Sequence, residues 1–220
     1  MFSEQGFEII DAVLTDAECR ALEAELDRVP LAGAGTRHML PYPWCADLAH
    51  KVRSSARIGT LIPASHVAVQ CTYFEKSADR NWLVPLHQDL SIPVAARVDH
   101  PNLTGWSEKE GAIYVQPPRS VLEELVAVRV HIDICGRDDG PLKVVPGSHT
   151  RGIVTSEECP SIRDEREKVS CLVARGAALV MRPLILHASS KASGSSLRRV
   201  LHFLFGPNTL PFGLCWQTAI

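Results

Sequence analysis

The feature that most constrains this chain is a series of short apolar runs with high strand propensity, which recur from His66 onward and are separated by turn residues. Runs of this kind are typical of antiparallel strands. A double-sheet barrel or jelly roll accommodates such a series, with helices packed outside it. The predicted strands are His66–Phe74, Val126–Ile134, Leu142–Val145, Cys171–Val173, Ala177–Met181 and Arg198–Phe205.

The N-terminal part has a different pattern, in which one short strand is followed by helices. Residues 7–10 are predicted as the strand. The segment Thr15–Glu18 is a capping box, which predicts the start of a helix that ends at Pro30. A second short helix is predicted over Trp44–Arg53. The 220 residues therefore predict one domain that is mainly β with flanking helices.

The segment Ser91–Glu123 does not fit this pattern. It is rich in proline and glycine and has no clear periodicity. It is also too long for a simple connection between strands. We therefore predict that residues 91–123 form a lid or a substrate loop within a single domain that spans residues 1–220.

The charge balance indicates which class of partner the protein binds, and the cysteine spacing indicates its cellular compartment. A net charge of -2 offers no cationic field for nucleic acid or an anionic membrane, so we expect a small-molecule partner. The seven cysteines include no C-x-x-C pair, which fits neither a disulfide framework nor a zinc ribbon. No signal segment or long apolar run is present. We expect a cytoplasmic protein, and its oligomeric state stays open.

One predicted strand alternates strictly between apolar and polar residues. Over Val128–Asp133 every second residue is polar. One face of this strand should therefore meet the core, while the other meets either solvent or a polar cavity. The alternation leaves both options open.

A candidate metal site lies around His87. On an extended chain His87 and Asp89 point to the same side, and His187 follows the apolar run Leu184–Leu186 at a second strand end. Two imidazoles and one carboxylate leave three positions of an octahedron open, an arrangement typical of iron(II) oxygenases. The absence of nearby thiolates in the sequence argues against structural zinc.

A candidate anion-binding arginine lies eleven residues after His187. Arg198 falls on the last predicted strand, where its guanidinium could bind a distal carboxylate with two hydrogen bonds. The neighbouring Arg199 must face the opposite side. Periodicity alone does not decide which arginine faces a pocket and which lies on the surface of an edge strand.

These motifs together resemble the phytanoyl-CoA dioxygenase family of iron(II)- and 2-oxoglutarate-dependent oxygenases, and in particular its bacterial members of unassigned substrate. The likeness spans Val67–Trp216. It is strongest in Val84–Asp89, Gly140–His149, Met181–Ser190 and Arg198–His202. The resemblance implies a double-stranded β-helix, that is, a cupin-like jelly roll.

The same resemblance implies roles for individual residues. Iron would be bound by His87, Asp89 and His187, and the carboxylate of 2-oxoglutarate by Arg198 rather than Arg199. The residues that would line the co-substrate pocket are Gln70, Thr72, Arg129 and Ser189.

Several points stay open within this resemblance. Arg129 stands where the family often has an aromatic residue, so it could bind co-substrate or substrate, or pair with Asp133 or Asp138. The turn Pro146–His149 could contact substrate or be a turn only. The family often has an asparagine shortly after the second histidine, where this chain has Lys191.

The implied reaction uses 2-oxoglutarate and O2, hydroxylates a C–H bond of a small molecule, and releases succinate and CO2. Desaturation or another oxidation stays open, whereas the presence of Asp89 disfavours halogenation. Two alternatives remain: a zinc hydrolase that uses the same three ligands, and a non-catalytic jelly-roll binding protein. The sequence does not identify the substrate.

Overall fold

The computed structural model describes residues 1–31, 33, 35–155 and 157–220, the side chain of Arg163 excepted. The strands in these residues are β1 Phe7–Ile10, β2 Gly35–Thr36, β3 His66–Lys76, β4 Val84–His87, β5 Ile92–Val94, β6 Thr104–Lys109, β7 Ala112–Gln116, β8 Val126–His131, β9 Leu142–Val144, β10 Val169–Cys171, β11 Ala178–Met181, β12 His187–Ser189 and β13 Arg198–Pro207. The helices are α1 Phe2–Gln5, α2 Asp16–Leu26, α3 Pro43–Ser54, α4 Ile58–Leu61, α5 Arg119–Glu124 and α6 Cys159–Glu165.

The strands form three antiparallel sheets. The major sheet has the order β1-β11-β8-β13-β3-β2, and the minor sheet has the order β10-β9-β12-β4. A third sheet, β5-β7-β6, is built from the inserted segment. The longest pairing joins β13 to β3, from Arg198 opposite Lys76 to Pro207 opposite His66. Strand β13 therefore lies in the middle of the major sheet and is not an edge strand.

Two apolar clusters hold the layers together. In one, Leu22 of α2 and Leu48 of α3 belong to the same buried cluster as Tyr73 and Phe203 of the major sheet, so the helices cover one face of this sheet. The other cluster joins the major sheet to the minor sheet and includes Val144. Burial of apolar surface on both faces is the main stabilising contribution to such layers.

The N-terminal predictions are largely confirmed. Strand β1 has the predicted bounds, and Thr15 and Glu18 form the reciprocal capping box. Helix α2 ends at Leu26, so the prediction that it continues to Pro30 is wrong. The reason is that the amides of Arg28 and Val29 bond three residues back, which tightens the chain into turns before the proline.

The later strands are also found, with different ends. Strand β10 covers Val169–Cys171 rather than Cys171–Val173, because the amide of Leu172 bonds to Ser170 and bends the chain there. Val173 forms a single bridge to Cys135. Strand β3 continues two residues beyond its predicted end to Lys76.

The inserted segment 91–123 contains more regular structure than its sequence indicates. It forms β5, β6, β7 and α5, and a two-residue turn at Glu110 and Gly111 joins β6 to β7. Both turn residues have positive φ, 54° and 78°, as the hairpin turn that suits twisted strands requires. A role as a lid stays a prediction. None of the helices in the residues described above is both long and apolar enough to cross a membrane.

Candidate metal centre

His87 and His187 lie directly opposite each other on the paired strands β4 and β12. Their ring centroids are 4.2 Å apart. Asp89 lies between them, with one carboxylate oxygen 3.7 Å from Nε2 of His87 and the other 3.7 Å from Nε2 of His187. One ligand atom from each of the three residues lies within 4.8 Å of the others. The three predicted ligands could therefore hold one metal ion.

Backbone carbonyls fix the tautomer of both imidazoles. Nδ1 of His87 is 2.9 Å from the carbonyl oxygen of Pro85, and Nδ1 of His187 is 2.8 Å from that of Ile185. Because a carbonyl can only accept, each Nδ1–H donates and each Nε2 keeps its lone pair. A second hydrogen bond of this kind orients histidine ligands in metal sites.

The charges of the three residues suit a cation. Burial lowers the pKa of His187 to about 4, although Asp89 lies beside it. Burial alone would raise the pKa of Asp89, but the two imidazoles hold it below its usual range, so the carboxylate is ionised. Burial would lower the pKa of His87, and its bond with Asp89 outweighs this and raises it. A metal ion therefore competes with a proton mainly at His87.

Gln88, between the two ligands of the H-x-D motif, faces the other way and anchors the motif. Its buried amide nitrogen donates to the carbonyls of Gly152 and Leu184, at 2.7 and 2.6 Å. Its amide oxygen accepts from the backbone of Val154 at 2.8 Å. Gln88 is not among the site residues predicted from the sequence, although strict alternation within the motif predicts that it points away from the metal side.

Two neighbouring cavities border the candidate ligands, and only the first of them is lined by all three, His87, Asp89 and His187. The first, which we call the arginine chamber, has a volume of about 240 Å³. The second, which we call the hairpin chamber, has a volume of about 380 Å³. Both are lined by Arg37, Phe74, His87, Asp89 and His202. The arginine chamber adds Lys76, Trp82, Arg129, Ser189 and Arg198. The hairpin chamber adds Gln70, Thr72, Lys109, Tyr114 and Gln116.

Three buried cations line the arginine chamber. Lys76, Arg129 and Arg198 are only 1%, 7% and 3% exposed. Within the described part of the chain, none of them forms an ion pair with a carboxylate, and the Nε atoms of both arginines have no hydrogen-bond partner. Buried cations without a counter-charge are unfavourable. The chamber is therefore suited to an anion.

Backbone and hydroxyl oxygens hold two of these cations in place. Nη1 of Arg198 donates to the carbonyl of Gly140 at 2.7 Å. Nζ of Lys76 donates to Oγ of Ser189 at 2.8 Å and to the carbonyl of Ser190 at 2.6 Å. Each cation keeps further N–H groups that these contacts do not use.

Arg129 binds His202. Its Nη1 lies 2.7 Å from Nδ1 of His202 and its guanidinium lies 5.5 Å from the ring of Phe74. A guanidinium can only donate, so Nδ1 accepts and Nε2 of His202 carries the proton. Burial and the charge of Arg129 lower the pKa of His202 to about 3, so it stays neutral. Of the two options for the alternating strand, the polar cavity is observed at Arg129; His131 is buried outside both chambers, and Asp133 lies beyond the end of β8 and binds Arg199.

Arg199 points out of the opposite face of β13. Its Nε and Nη2 bind the two carboxylate oxygens of Asp133 at 2.9 Å, and Nη2 also binds Glu23 at 2.8 Å. It is 8% exposed. The prediction of a surface arginine is therefore wrong for Arg199. The option that Arg129 pairs with Asp133 is wrong as well, because Arg199 occupies that carboxylate.

The other predicted pocket residues divide between the two chambers. Gln70 and Thr72 share a face of β3 as expected, but they line the hairpin chamber and not the arginine chamber; the amide of Gln70 donates to Thr72 at 2.8 Å there. Ser189 lies in the arginine chamber, where its hydroxyl donates to Gly140 at 2.9 Å. Sequence reasoning missed Lys76. The alternation from Gln70 through Thr72 and Phe74 leads directly to it.

The turn Pro146–His149 lines neither chamber. The hydroxyl of Ser148 donates to the carbonyl of Val145 at 2.7 Å and accepts from the amide of Leu186 at 2.8 Å. His149 contacts the carbonyl of Ser3 at 3.2 Å. The turn therefore holds the backbone that leads into His187, and a direct substrate contact is not supported.

Comparisons with known proteins agree with this architecture. A family model described as phytanoyl-CoA dioxygenase (PhyH) matches residues 2–200. A search of curated proteins found no match. HygX from Streptomyces hygroscopicus, solved with nickel and 2-oxoglutarate bound, superposes with a TM-score of 0.67 at 18% identity, covering 95% of this chain and 85% of that one.

Two further solved structures have the same fold. SnoN, a non-heme alpha-ketoglutarate-dependent epimerase from nogalamycin biosynthesis, gives a TM-score of 0.68 at 15% identity over 98% of this chain and 85% of its own. AviO1 from Streptomyces viridochromogenes gives 0.64 at 19% identity over 96% and 93%. The predicted double-stranded β-helix is confirmed.

Proposed function

The chain belongs to the phytanoyl-CoA dioxygenase family of iron(II)- and 2-oxoglutarate-dependent oxygenases, and from this premise we propose that it hydroxylates a C–H bond of a small molecule and releases succinate and CO2. The observation that carries the proposal is the juxtaposition of two features. The His87, Asp89 and His187 cluster borders a chamber that holds three buried cations, none of which pairs with a carboxylate of the described residues.

The candidate ligands fit iron(II). Two neutral imidazoles with free Nε2 lone pairs and one ionised carboxylate form the mixed nitrogen and oxygen set that this ion favours. We propose that His87, Asp89 and His187 hold it. When bound, iron(II) together with 2-oxoglutarate and O2 supplies the oxidising chemistry, while the protein supplies orientation and shielding.

The arginine chamber fits the co-substrate. 2-Oxoglutarate carries two carboxylates, and the chamber offers N–H donors of Arg198, Lys76 and Arg129 that have no anionic partner in the part of the chain described here. We assign Arg198 to the distal carboxylate, because a guanidinium can bind it with two parallel hydrogen bonds. Lys76 adds a second charge beside it.

The rival hydrolase finds little support at this site. Metal-assisted hydrolysis needs a general base near the metal. In the residues that the structure describes, Asp89 is the only carboxylate that lines either chamber. His202 is neutral but has a pKa of about 3, which makes it a weak base. A hydrolase also leaves the three buried cations without a role.

Anaerobic titration with iron(II) and 2-oxoglutarate tests the proposal. We expect a weak visible charge-transfer band in the wild-type protein and succinate formation once O2 is admitted. Asp89→Ala and His187→Ala should abolish the band, while His50→Ala, an exposed histidine on α3, should keep it. Unchanged iron binding in both ligand variants would refute the ligand assignment. Iron binding without succinate would favour the non-catalytic alternative.

A further inference from the structure

The β6–β7 hairpin forms one wall of the hairpin chamber. Along β7 the side chains alternate: Val115 is fully buried in the core, and Ile113 packs against the same cluster. Tyr114 and Gln116 occupy the other face and line the chamber. Lys109, the last residue of β6, joins them there.

A glycine makes room for one of these side chains. Gly105 has φ +58°, and a Cβ at this position would lie 2.6 Å from the side-chain amide carbon of Gln116. The amide of Gln116 therefore lies across β6 at a place where any larger residue would displace it. The backbone of β6 is shaped around this polar group, although most of the strand is exposed.

Three polar groups of this wall have neither a hydrogen bond nor an ion pair with the described part of the chain. Among the residues that the structure describes, Lys109 forms no ion pair, and the Tyr114 hydroxyl and the Gln116 amide form no hydrogen bond. The ammonium of Lys109 lies 4.7 Å from the centre of the Tyr114 ring. The other cation of the chamber, Arg37, is already bound to Glu110 at 2.7 Å. Lys109 is therefore the cation of this wall that pairs with no described carboxylate, although Asp89, which lines the same chamber, attracts it electrostatically.

The rest of the chamber is also polar. Gln70, Thr72 and Ser91 line it, and it opens on His87 and Asp89. Its volume of about 380 Å³ is near the lower end of the range for small-molecule sites, roughly 300–1,000 Å³. A long hydrocarbon chain would leave these polar groups without partners, which is unfavourable. A compact polar molecule satisfies them.

Resting on the proposed function, we propose that the molecule oxidised in the hairpin chamber is a small polar compound that bears a carboxylate, and that Lys109 binds this carboxylate. The hydroxyl of Tyr114 and the amide of Gln116 supply the neutral hydrogen bonds. One ammonium matches one singly charged carboxylate, whereas a dianionic group would need a second cation, and Arg37, the other cation that lines the chamber, is already paired with Glu110. Lys109 thereby determines specificity and does not take part in the oxidation.

The test uses three fragments of nearly equal size that differ in charge: benzoate, benzamide and benzylamine. The protein is first saturated with iron(II) and 2-oxoglutarate under anaerobic conditions, so that the arginine chamber is filled. Calorimetry then measures the binding of each fragment. We expect benzoate to bind about tenfold or more tightly than the other two, as a charge-assisted hydrogen bond implies.

Variants assign this preference to Lys109. Lys109→Met should remove the preference for benzoate while benzamide binding stays unchanged, and Lys109→Arg should keep the preference. Lys168→Met, which removes an exposed lysine, should behave as wild type. The charge-transfer band should persist in all of these variants.

The outcomes separate the two proposals. If the wild-type protein shows no charge-transfer band with iron(II) and 2-oxoglutarate, the proposed function is overturned. A normal band with equal binding of the three fragments, with no fragment binding at millimolar concentration, or with a benzoate preference that survives Lys109→Met, would overturn the inference about the substrate alone.

Discussion

Arg198 and Arg199 are consecutive residues of one strand, yet Arg198 faces the arginine chamber and pairs with no carboxylate among the described residues, while Arg199 binds both oxygens of Asp133 on the opposite face. The two guanidinium groups therefore have different roles. Arg198 keeps N–H donors free for an anion, whereas Arg199 joins helix α2 to the major sheet through Glu23.

The first prediction compares these two arginines. Arg198→Ala should weaken 2-oxoglutarate binding by about thirtyfold to several thousandfold, since losing a buried partner of a carboxylate costs on the order of 2–5 kcal/mol. Iron affinity should change little. Anaerobic titration of the iron-loaded variants measures both constants.

Arg199→Ala should instead lower thermal stability. A fully buried pair costs about 3–5 kcal/mol when broken, and we expect about 2–3 kcal/mol here because Glu23 is partly exposed. That corresponds to roughly 4–12 °C in the melting temperature. A larger effect of Arg199→Ala than of Arg198→Ala on 2-oxoglutarate binding would mean that the register of β13 is wrong.

The second prediction concerns Lys76 and pH. Burial and the charge of Arg198 lower the pKa of Lys76 to about 8 in the free protein. A dianion beside it favours the protonated form, so binding above pH 8 must take up a proton. The dissociation constant of 2-oxoglutarate should therefore rise with pH above about 8, by up to about tenfold per unit.

Lys76→Met should weaken binding at pH 7 and flatten this pH profile. Lys168→Met, an exposed lysine, should leave the profile as in the wild type. Calorimetry between pH 7 and pH 9.5 makes the comparison. A profile that is identical in wild type and Lys76→Met would exclude a contact between Lys76 and the co-substrate.

The third prediction concerns the hairpin of the inserted segment. The carboxylate of Glu110 accepts from the hydroxyl of Thr36 at 2.9 Å and from the backbone and side chain of Arg37 at 2.8 and 2.7 Å. Glu110→Ala should remove the contacts that hold the β6–β7 turn against Thr36 and Arg37, so that limited proteolysis cleaves within residues 104–116 faster. Glu108→Ala, an exposed neighbour, is the matched control.

If the segment is a lid, iron and 2-oxoglutarate together with substrate should slow this cleavage in the wild-type protein, because closure orders exposed backbone. Ligands should slow cleavage more in the Glu110→Ala variant than in the wild type, because its β6–β7 turn is less well held before the ligands bind. Cleavage rates that ligands do not change would instead indicate a fixed insertion.

The fourth prediction concerns Gln88. Gln88→Leu removes three hydrogen bonds and leaves buried carbonyls of Gly152 and Leu184 without partners. We expect about 10–100-fold weaker iron binding, as is usual when groups that orient metal ligands are lost, together with a lower melting temperature. Gln116→Leu, which removes an amide without a hydrogen bond to any described residue, should leave the iron affinity unchanged. Equal iron affinities for wild type and Gln88→Leu would show that the β4 backbone alone orients the ligands.

Alternation along strands was sufficient to predict much of the site. It places His87 and Asp89 on one side and Gln70 and Thr72 on one face, because side chains of an extended chain alternate. Lys76 was missed for a local reason. The predicted strand stopped at Phe74, where the apolar run gives way to charged residues, yet the ladder with β13 continues.

Other features depend on contacts that no local pattern encodes. The partner of Arg199 on helix α2 lies 176 residues earlier in the chain, so the bond depends on how the helix packs against the sheet. Strand β6 exposes most of its residues and therefore has no apolar alternation to detect. Only its pairing with β7 makes it a strand.

The pairing of His87 with His187 also has a consequence for the lifetime of the chain. About a hundred residues separate the two histidines along the sequence, so an ion held by both acts as a removable crosslink that closes a long loop. Such an ion binds the folded state alone and raises the free energy of unfolding by about 2.7 kcal/mol at a hundredfold excess over its dissociation constant. Iron supply would then set how much of this protein survives proteolysis in the cell, as well as how much of it is active.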